Sequence, residues 1–291
     1  EAIGFSIQSG MKLSRAEVRW FKHNDMTDLR RLLEEMRAAD QLDAKLKTKQ
    51  RRFIVFEAVY ASQGDLAPVD EIMRLKQEFK VRILVDESFS IGVLGRSGKG
   101  VCEHYGIPRE EIEFMTMDAG NALNSVGGAC IGTHEVVSHQ RLSGAGYCFS
   151  ASQPPFLATA IIKTLDILEE EGTGRMVQLR DNIETLRCAL SPLADLKELQ
   201  ITGHSLSPIT FIRLSPAKDN ESDAVARQQL VFEVQEELLR NGVFVSAPRY
   251  VEHEYKAPEP GLRVSVTCRH SKSDVISAAE TICRVLSRHF K

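Results

Sequence analysis

An aspartate that ends an apolar run is the first residue in this chain with chemistry to offer. In ILVDESFSIGVLGRSGKG, residues 83–100, Asp86 closes a strand-like stretch and a glycine-rich loop follows it. Ligands of open parallel sheets gather at the carboxyl ends of the strands. A carboxylate buried there is costly unless it meets a cation. One such cation is a protonated pyridine nitrogen, whose ring acts as an electron sink while its charge is held. Taken alone, Asp86 reads equally well as a residue that caps the next turn, with GRSGKG a loop and no more. His104, His134 and His139 have no acidic or cysteine partners at metal-ligand spacing, so no metal site is expected. The cysteines Cys102, Cys130, Cys148, Cys188, Cys268 and Cys283 stand singly, with no C-x-x-C. Reduced thiols, rather than a zinc site or a disulfide framework, are the expectation.

The elements that must position these residues follow from periodicity. RRFIVFEAVY (51–60) is a β-branched and aromatic run of the kind a buried parallel strand needs, and VRILVDES (81–88) is another. Between them, PVDEIMRLKQEF (68–79) spaces Val69, Ile72, Met73, Leu75 and Phe79 as one helical face, with Pro68 in the first turn. This strand–helix–strand unit predicts a parallel sheet flanked by helices. EFMTMDA and GGACIGT read as two further strands around the turn that contains Asn121. Beyond Pro154 and Pro155 the texture becomes α+β: a helix over 156–171, a second through RMVQLRDNIETLRCALSPL, and short strands at LQITG and PITFIRL. A helix near 224–240, the run GVFVSAP, the strand GLRVSVTCRH and a last helix from Ser273 complete it, with PAKDNESDA as an exposed loop. The expected domains are 1–165 and 166–291, the change falling within the 156–171 helix.

A chain of 291 residues with 43% hydrophobic and 26% charged residues has the make-up of a globular protein with a sizeable core. A formal net charge of −3 gives no reason to expect nucleic-acid binding, which usually shows a basic face. No run approaches the ~18 apolar residues of a membrane span. The chain opens on Glu1 with neither Met nor a signal-like region, and is expected to be a fragment whose N-terminal part lies upstream.

Several motifs together resemble the α-oxoamine synthases, the fold-type I pyridoxal phosphate enzymes that condense an amino acid with an acyl-CoA. VDESFSIGVLGRSGKG is similar to the family's V-D-E-A-H-S-x-G-x-x-G-x-x-G-x-G, and FKHNDMTDLRRLL (21–33) to its F-x-H-N-D-x-x-x-L-x-x-L-L. FEAVYASQGDLAPV resembles E-G-V-F-S-M-D-G-D-x-A-P-L, and GYCFSASQPP resembles F-S-T-x-x-P-P. Order and spacing agree over essentially the whole chain. The resemblance implies an α/β large domain with a mostly parallel sheet, aspartate-aminotransferase-like, and a smaller α+β C-terminal domain. Within the family, FKHNDM, FSIGVLG, VCEHYGI, HQRLSGAGYCFSAS and LRVSVT resemble a subunit type that works beside a second, catalytic subunit holding the pyridoxal phosphate. In eukaryotes such subunits usually carry a membrane segment in the endoplasmic reticulum.

The departures from the pattern carry as much as the matches. Counting back from Gly127 and Gly128, the family's Schiff-base lysine falls on Asn121, whose amide cannot form that bond. Lys99 and Lys163 are the only lysines between Val81 and Asp166, one in the glycine loop and one in the following helix. The family's histidine beside the ring hydroxyl is Phe89 here, and its ring-stacking histidine falls on Gly4. Asp86 keeps the pyridine-nitrogen position. The resemblance implies that Ser150 and Ser152 donate to a phosphate held across a subunit interface, the alternative being that they cap the helix beginning near Pro154. Arg263 falls on the arginine that binds the substrate carboxylate. A required but non-catalytic subunit is the expectation. Alternatives are an autonomous synthase, against which Asn121 argues, and a structural or regulatory scaffold with no part in the active site.

Overall fold

The computed structural model describes residues 1–42, 50–216, 221–249 and 254–290. These divide into two compact units. The first comprises Ile3–Tyr60 and Leu66–Thr173, with Glu1; the second comprises Ala61–Asp65 and the chain from Gly174 onward, with Ala2.

In the first unit, α1 (Phe5–Ser14) ends on Arg15, which takes a left-handed φ of 56°, and α2 (Met26–Leu42) follows. Next come β1 (Phe53–Glu57), α3 (Val69–Phe79), β2 (Arg82–Asp86), α4 (Val101–Tyr105), β3 (Phe114–Asp118) and β4 (Gly128–Gly132). The sheet order is β1-β2-β3-β4. β1, β2 and β3 run parallel, in the register Ile54↔Ile83, Phe56↔Val85 and Val85↔Met115. All five of these side chains are buried, because alternate residues of paired parallel strands share one face. β4 is antiparallel to β3. The short 119–127 turn joins them, and a parallel return needs a crossover of about a dozen residues or more.

α5 (His134–Ser143) and the short α6 (Ala145–Cys148) lead to α7 (Pro155–Ala189), a single helix of 35 residues. The sequence predicts two helices here, because Gly172 and Gly174 interrupt the pattern. The helix runs through both. A Cβ on Gly172 would lie 2.3 Å from the Ser97 carbonyl oxygen, so glycine at this point lets the glycine-rich loop approach the helix backbone. The two compact units part at Thr173 and Gly174, within α7; the expected junction at 165 and 166 lies in this helix as well.

The second unit has an antiparallel sheet of β5 (Leu199–Thr202), β6 (Ile209–Leu214) and, after α8 (Glu221–Arg240), β7 (Gly261–Ser265), in the order β5-β6-β7. GVFVSAP contributes only an isolated bridge, Ser246↔Arg263, and forms no strand. The exposed loop expected over PAKDNESDA is helical from Glu221, and its residues 217–220 lie outside the described residues. α9 (Lys272–His289) opens with a capping box between Ser271 and Asp274. It buries Val275, Ala279, Ile282, Val285 and Leu286, a stripe of helical period.

Candidate functional site

At the carboxyl edge of the first sheet the ends of β1 and β2 meet in register beside the middle of β3: Glu57 of β1 pairs with Asp86 of β2, and Asp86 with Thr116 of β3. The Asp86 carboxylate is engaged on both oxygens. Oδ1 accepts from the Ser88 backbone N–H at 3.0 Å, and Oδ2 accepts from the Thr116 hydroxyl at 2.7 Å. The turn-capping reading of Asp86 is therefore realised.

Asn121 stands in the turn after β3. Its Nδ2 donates to the Ser88 carbonyl at 3.0 Å and to Asp118 Oδ2 at 3.3 Å. The Asp118 N–H donates in turn to Ser88 Oγ at 2.8 Å. Ser88 and Asp118 thus staple the ends of β2 and β3, with Asn121 closing the staple. Phe89 sits half-buried in the turn that follows Ser88.

Gly4 lies on the same edge. It is the N-cap of α1, and its N–H donates to Glu57 Oε1. Glu57 is 3% exposed, and a Cβ built on Gly4 would lie 2.9 Å from that oxygen. A side chain at position 4 would have to displace the carboxylate. The structure therefore gathers Gly4, Asp86, Phe89 and Asn121 around one edge and adds Glu57, Ser88 and Thr116, which the sequence reading did not single out. A glutamate inside the apolar run FIVFEAV is the signal that could have marked Glu57: a buried charge requires partners.

Behind this edge the glycine-rich loop is held by two glutamates. Glu87, 1% exposed, accepts from the Ser90 hydroxyl and from the Val101 N–H at 3.1 Å. Burial pushes its carboxyl above the usual range, against the pull of those two hydrogen bonds. A Cβ on Gly100, whose φ is 84°, would come within 2.4 Å of Glu87, so only glycine admits this anchor. Glu103 accepts from the N–H groups of Ser97 and Lys99 and from the Ser97 hydroxyl. This fixes the loop that carries Arg96 and Lys99.

Ser150 and Ser152 occupy the exposed segment between α6 and α7. Among the described residues neither hydroxyl makes a hydrogen bond, so neither caps α7. Arg263 belongs to the second unit, half-buried on β7, with its backbone N–H and C=O both paired with Ser246. His134 begins α5, where its ring meets Ser138 Oγ at 3.4 Å; His104 sits edge-on to Tyr105 in α4. Among the described residues no group of three His, Cys, Asp or Glu side chains could hold a metal ion, and no helix is long and apolar enough to cross a membrane. The six cysteines are free thiols.

Similarity to known proteins fits this frame. The chain is 41% identical over 286 residues to Long chain base biosynthesis protein 1b of Oryza sativa subsp. japonica, covering 98% of this chain and 57% of that protein. It is 36% identical over 282 residues to Serine palmitoyltransferase 1 of Dictyostelium discoideum, covering 97% of this chain and 58% of that protein. The chain therefore spans less than two thirds of the length of these curated relatives. A solved structure of SPT with PLP as its internal aldimine superposes with a TM-score of 0.79 at 23% identity, covering 99% of this chain and 65% of that one, which shows the shared fold. The family model for Aminotransferase class I and II matches residues 5–282, and the chain, with its mostly parallel sheet, belongs to that family.

Proposed function

We propose that this chain is a required, non-catalytic subunit of serine palmitoyltransferase, the complex that condenses L-serine with palmitoyl-CoA to 3-ketodihydrosphingosine in the first step of sphingolipid biosynthesis. The names of its curated relatives support the complex. The observation that carries the non-catalytic role is Asn121. Its amide is committed to Ser88 and Asp118, at the position where the family's resemblance puts the cofactor lysine.

Pyridoxal phosphate held covalently at this edge would need an amine, a group to cover the ring and a carboxylate for the pyridine nitrogen. Of these, Asp86 alone is present. Gly4 has no side chain, and Glu57 stands where one would go. These residues do not fit a covalently held cofactor. The cofactor, whose ring supplies an electron sink, belongs instead to the lysine-bearing partner, a long-chain-base subunit 2. Toward that partner this chain offers Ser150 and Ser152, exposed hydroxyls with no hydrogen-bond partner among the described residues, as donors to the cofactor phosphate. With Asn121 in place of the aldimine lysine, Arg263 has a structural or interface role. We extend the proposal to a complex at the endoplasmic reticulum membrane with its catalytic side toward the cytosol and small membrane subunits as its candidate regulators.

Borohydride trapping tests the assignment. The purified chain, alone and co-expressed with a lysine-bearing partner, is reduced in the presence of pyridoxal phosphate and mapped. Label on the partner alone, with condensation only by the mixture, is the expected outcome. Label on a lysine of the lone chain, with turnover, would make it an autonomous synthase.

A further inference from the structure

The segment that presents Ser150 and Ser152 is held by one side chain. From residue 149 to residue 154, Gln153 alone among the described residues uses its side chain in a hydrogen bond: Nε2 donates to the Val126 carbonyl at 2.7 Å. Val126 belongs to the 119–127 turn, the same turn that Asn121 closes at its other end. Gly127 makes the seat. Its φ is 115°, and a Cβ there would lie 3.0 Å from the Gln153 Cδ and 3.1 Å from its Oε1. The amide therefore lies against a backbone that only glycine can supply.

Two further contacts tie this turn to the start of α7. Ser125 Oγ donates to the Leu157 carbonyl at 3.0 Å, and Thr164 Oγ1 donates to the Leu123 carbonyl at 3.2 Å. These secure the helix after the segment. The serines themselves lie before Pro154, where among the described residues Gln153 is the only side chain with a tethering hydrogen bond.

We propose that Gln153 is a positioning residue: seated on Gly127 and bonded to Val126, it fixes the 150–152 backbone so that Ser150 and Ser152 present their hydroxyls to a phosphate held by the partner subunit. The inference rests on the reading of those serines given above. A hydroxyl that must reach a phosphate oxygen works only if its backbone is held to a fraction of an ångström. The turn that in a lysine-bearing chain would carry the cofactor becomes here the support for a donor to another chain's cofactor.

The test uses the assembled complex and reads the partner's bound pyridoxal phosphate by its absorbance band during dilution or gel filtration, together with Tm. Gln153→Met keeps the length of the side chain and removes the donor; Gln153→Lys keeps a donor. Loss of one neutral hydrogen bond should let the cofactor leave about fivefold faster in Gln153→Met. Tm should be unchanged, and Gln153→Lys should restore retention. The Ser150→Ala/Ser152→Ala complex serves as the reference and should lose cofactor at least as fast. If the serine variant loosens the cofactor and Gln153→Met does not, the positioning role is wrong while the role of the serines stands. If the serine variant retains cofactor normally, the reading of the serines fails and the inference fails with it. A Gln153→Met complex that melts lower yet holds its cofactor, or a Gln153→Lys complex that is not rescued, would mark Gln153 as merely structural.

Discussion

The two halves of α7 carry apolar residues at similar density and meet opposite fates. From Gly174 on, Met176, Leu179, Ile183 and Leu186 recur at intervals of three and four, and all are buried, Ile183 at 1% exposure. They form one stripe, and the second unit covers it; Val177, off the stripe, is the large apolar side chain left exposed there among the described residues. Before Thr173 the apolar residues lie on more than one side. Leu157, Ile161, Ile167 and Leu168 face inward and are half-buried, while Phe156, Ile162 and Leu165 stand outward, Phe156 at 71% exposure. The stretch just before the helix continues the theme, with Leu142 86% and Phe149 91% exposed. A helix that is apolar on several sides is made to be covered on several sides. The second half is finished by its own chain; the first half is the kind of surface that a partner completes.

The sharpest way to break this contrast is to empty the finished half. Ile183→Ala should cost about 3 kcal/mol, the loss expected for a fully buried aliphatic side chain whose surroundings cannot collapse. Denaturant unfolding measures it, and a loss below about 1 kcal/mol would mean that the stripe is not core. Asn182 on the same half is 1% exposed, and its Nδ2 donates to the carbonyls of Thr267 and His270 at 2.8 and 2.9 Å. Asn182→Ala leaves both acceptors without that donor and should cost about 2 kcal/mol. A smaller effect is expected from Thr164→Val in the first half. The hydroxyl that joins α7 to Leu123 is also bonded to the Ala160 carbonyl, at 3.0 Å. Its loss should cost about 1 kcal/mol or less on the same unfolding curve.

How much of this could be read from the chain alone differs between the halves for a physical reason. The strand–helix–strand unit from Phe53 to Asp86 was legible because each element buries its own periodic pattern: β-branched runs for β1 and β2, and Ile72, Met73 and Leu75 on one face of α3. The direction of β4 was not, since an apolar run reads alike in either sense; the shortness of the 119–127 turn was the available clue. The continuity of α7 was hidden by Gly172, a residue placed for the Ser97 carbonyl and not for helix propensity. At the candidate site Asp86 and Asn121 were legible as residues. Their bonds to Thr116, Ser88 and Asp118 were not, because the partners come from different strands and only the register brings them together. Gln153 was invisible for the same reason: its partner, Val126, is a carbonyl, and a carbonyl has no sequence signature.

The unfinished half offers the smallest effect on stability and the most discriminating measurement. Phe149→Ser and Phe156→Ser remove large apolar groups that lie mostly in solvent, so each should change the unfolding free energy of the lone chain by about 0.5 kcal/mol or less. Aromatic side chains buried at the centre of an interface weaken association by about 2 kcal/mol or more when truncated, roughly thirtyfold in Kd. The two measurements therefore separate three cases. Stability unchanged with association to a lysine-bearing partner lost places these rings at the subunit contact. A marked loss of stability in the lone chain would mean that the rings already pack within it and that the contrast between the halves is false. If both quantities stay unchanged, the first half of α7 is covered by something other than that partner, and the serine segment just before it loses its route to the partner's phosphate.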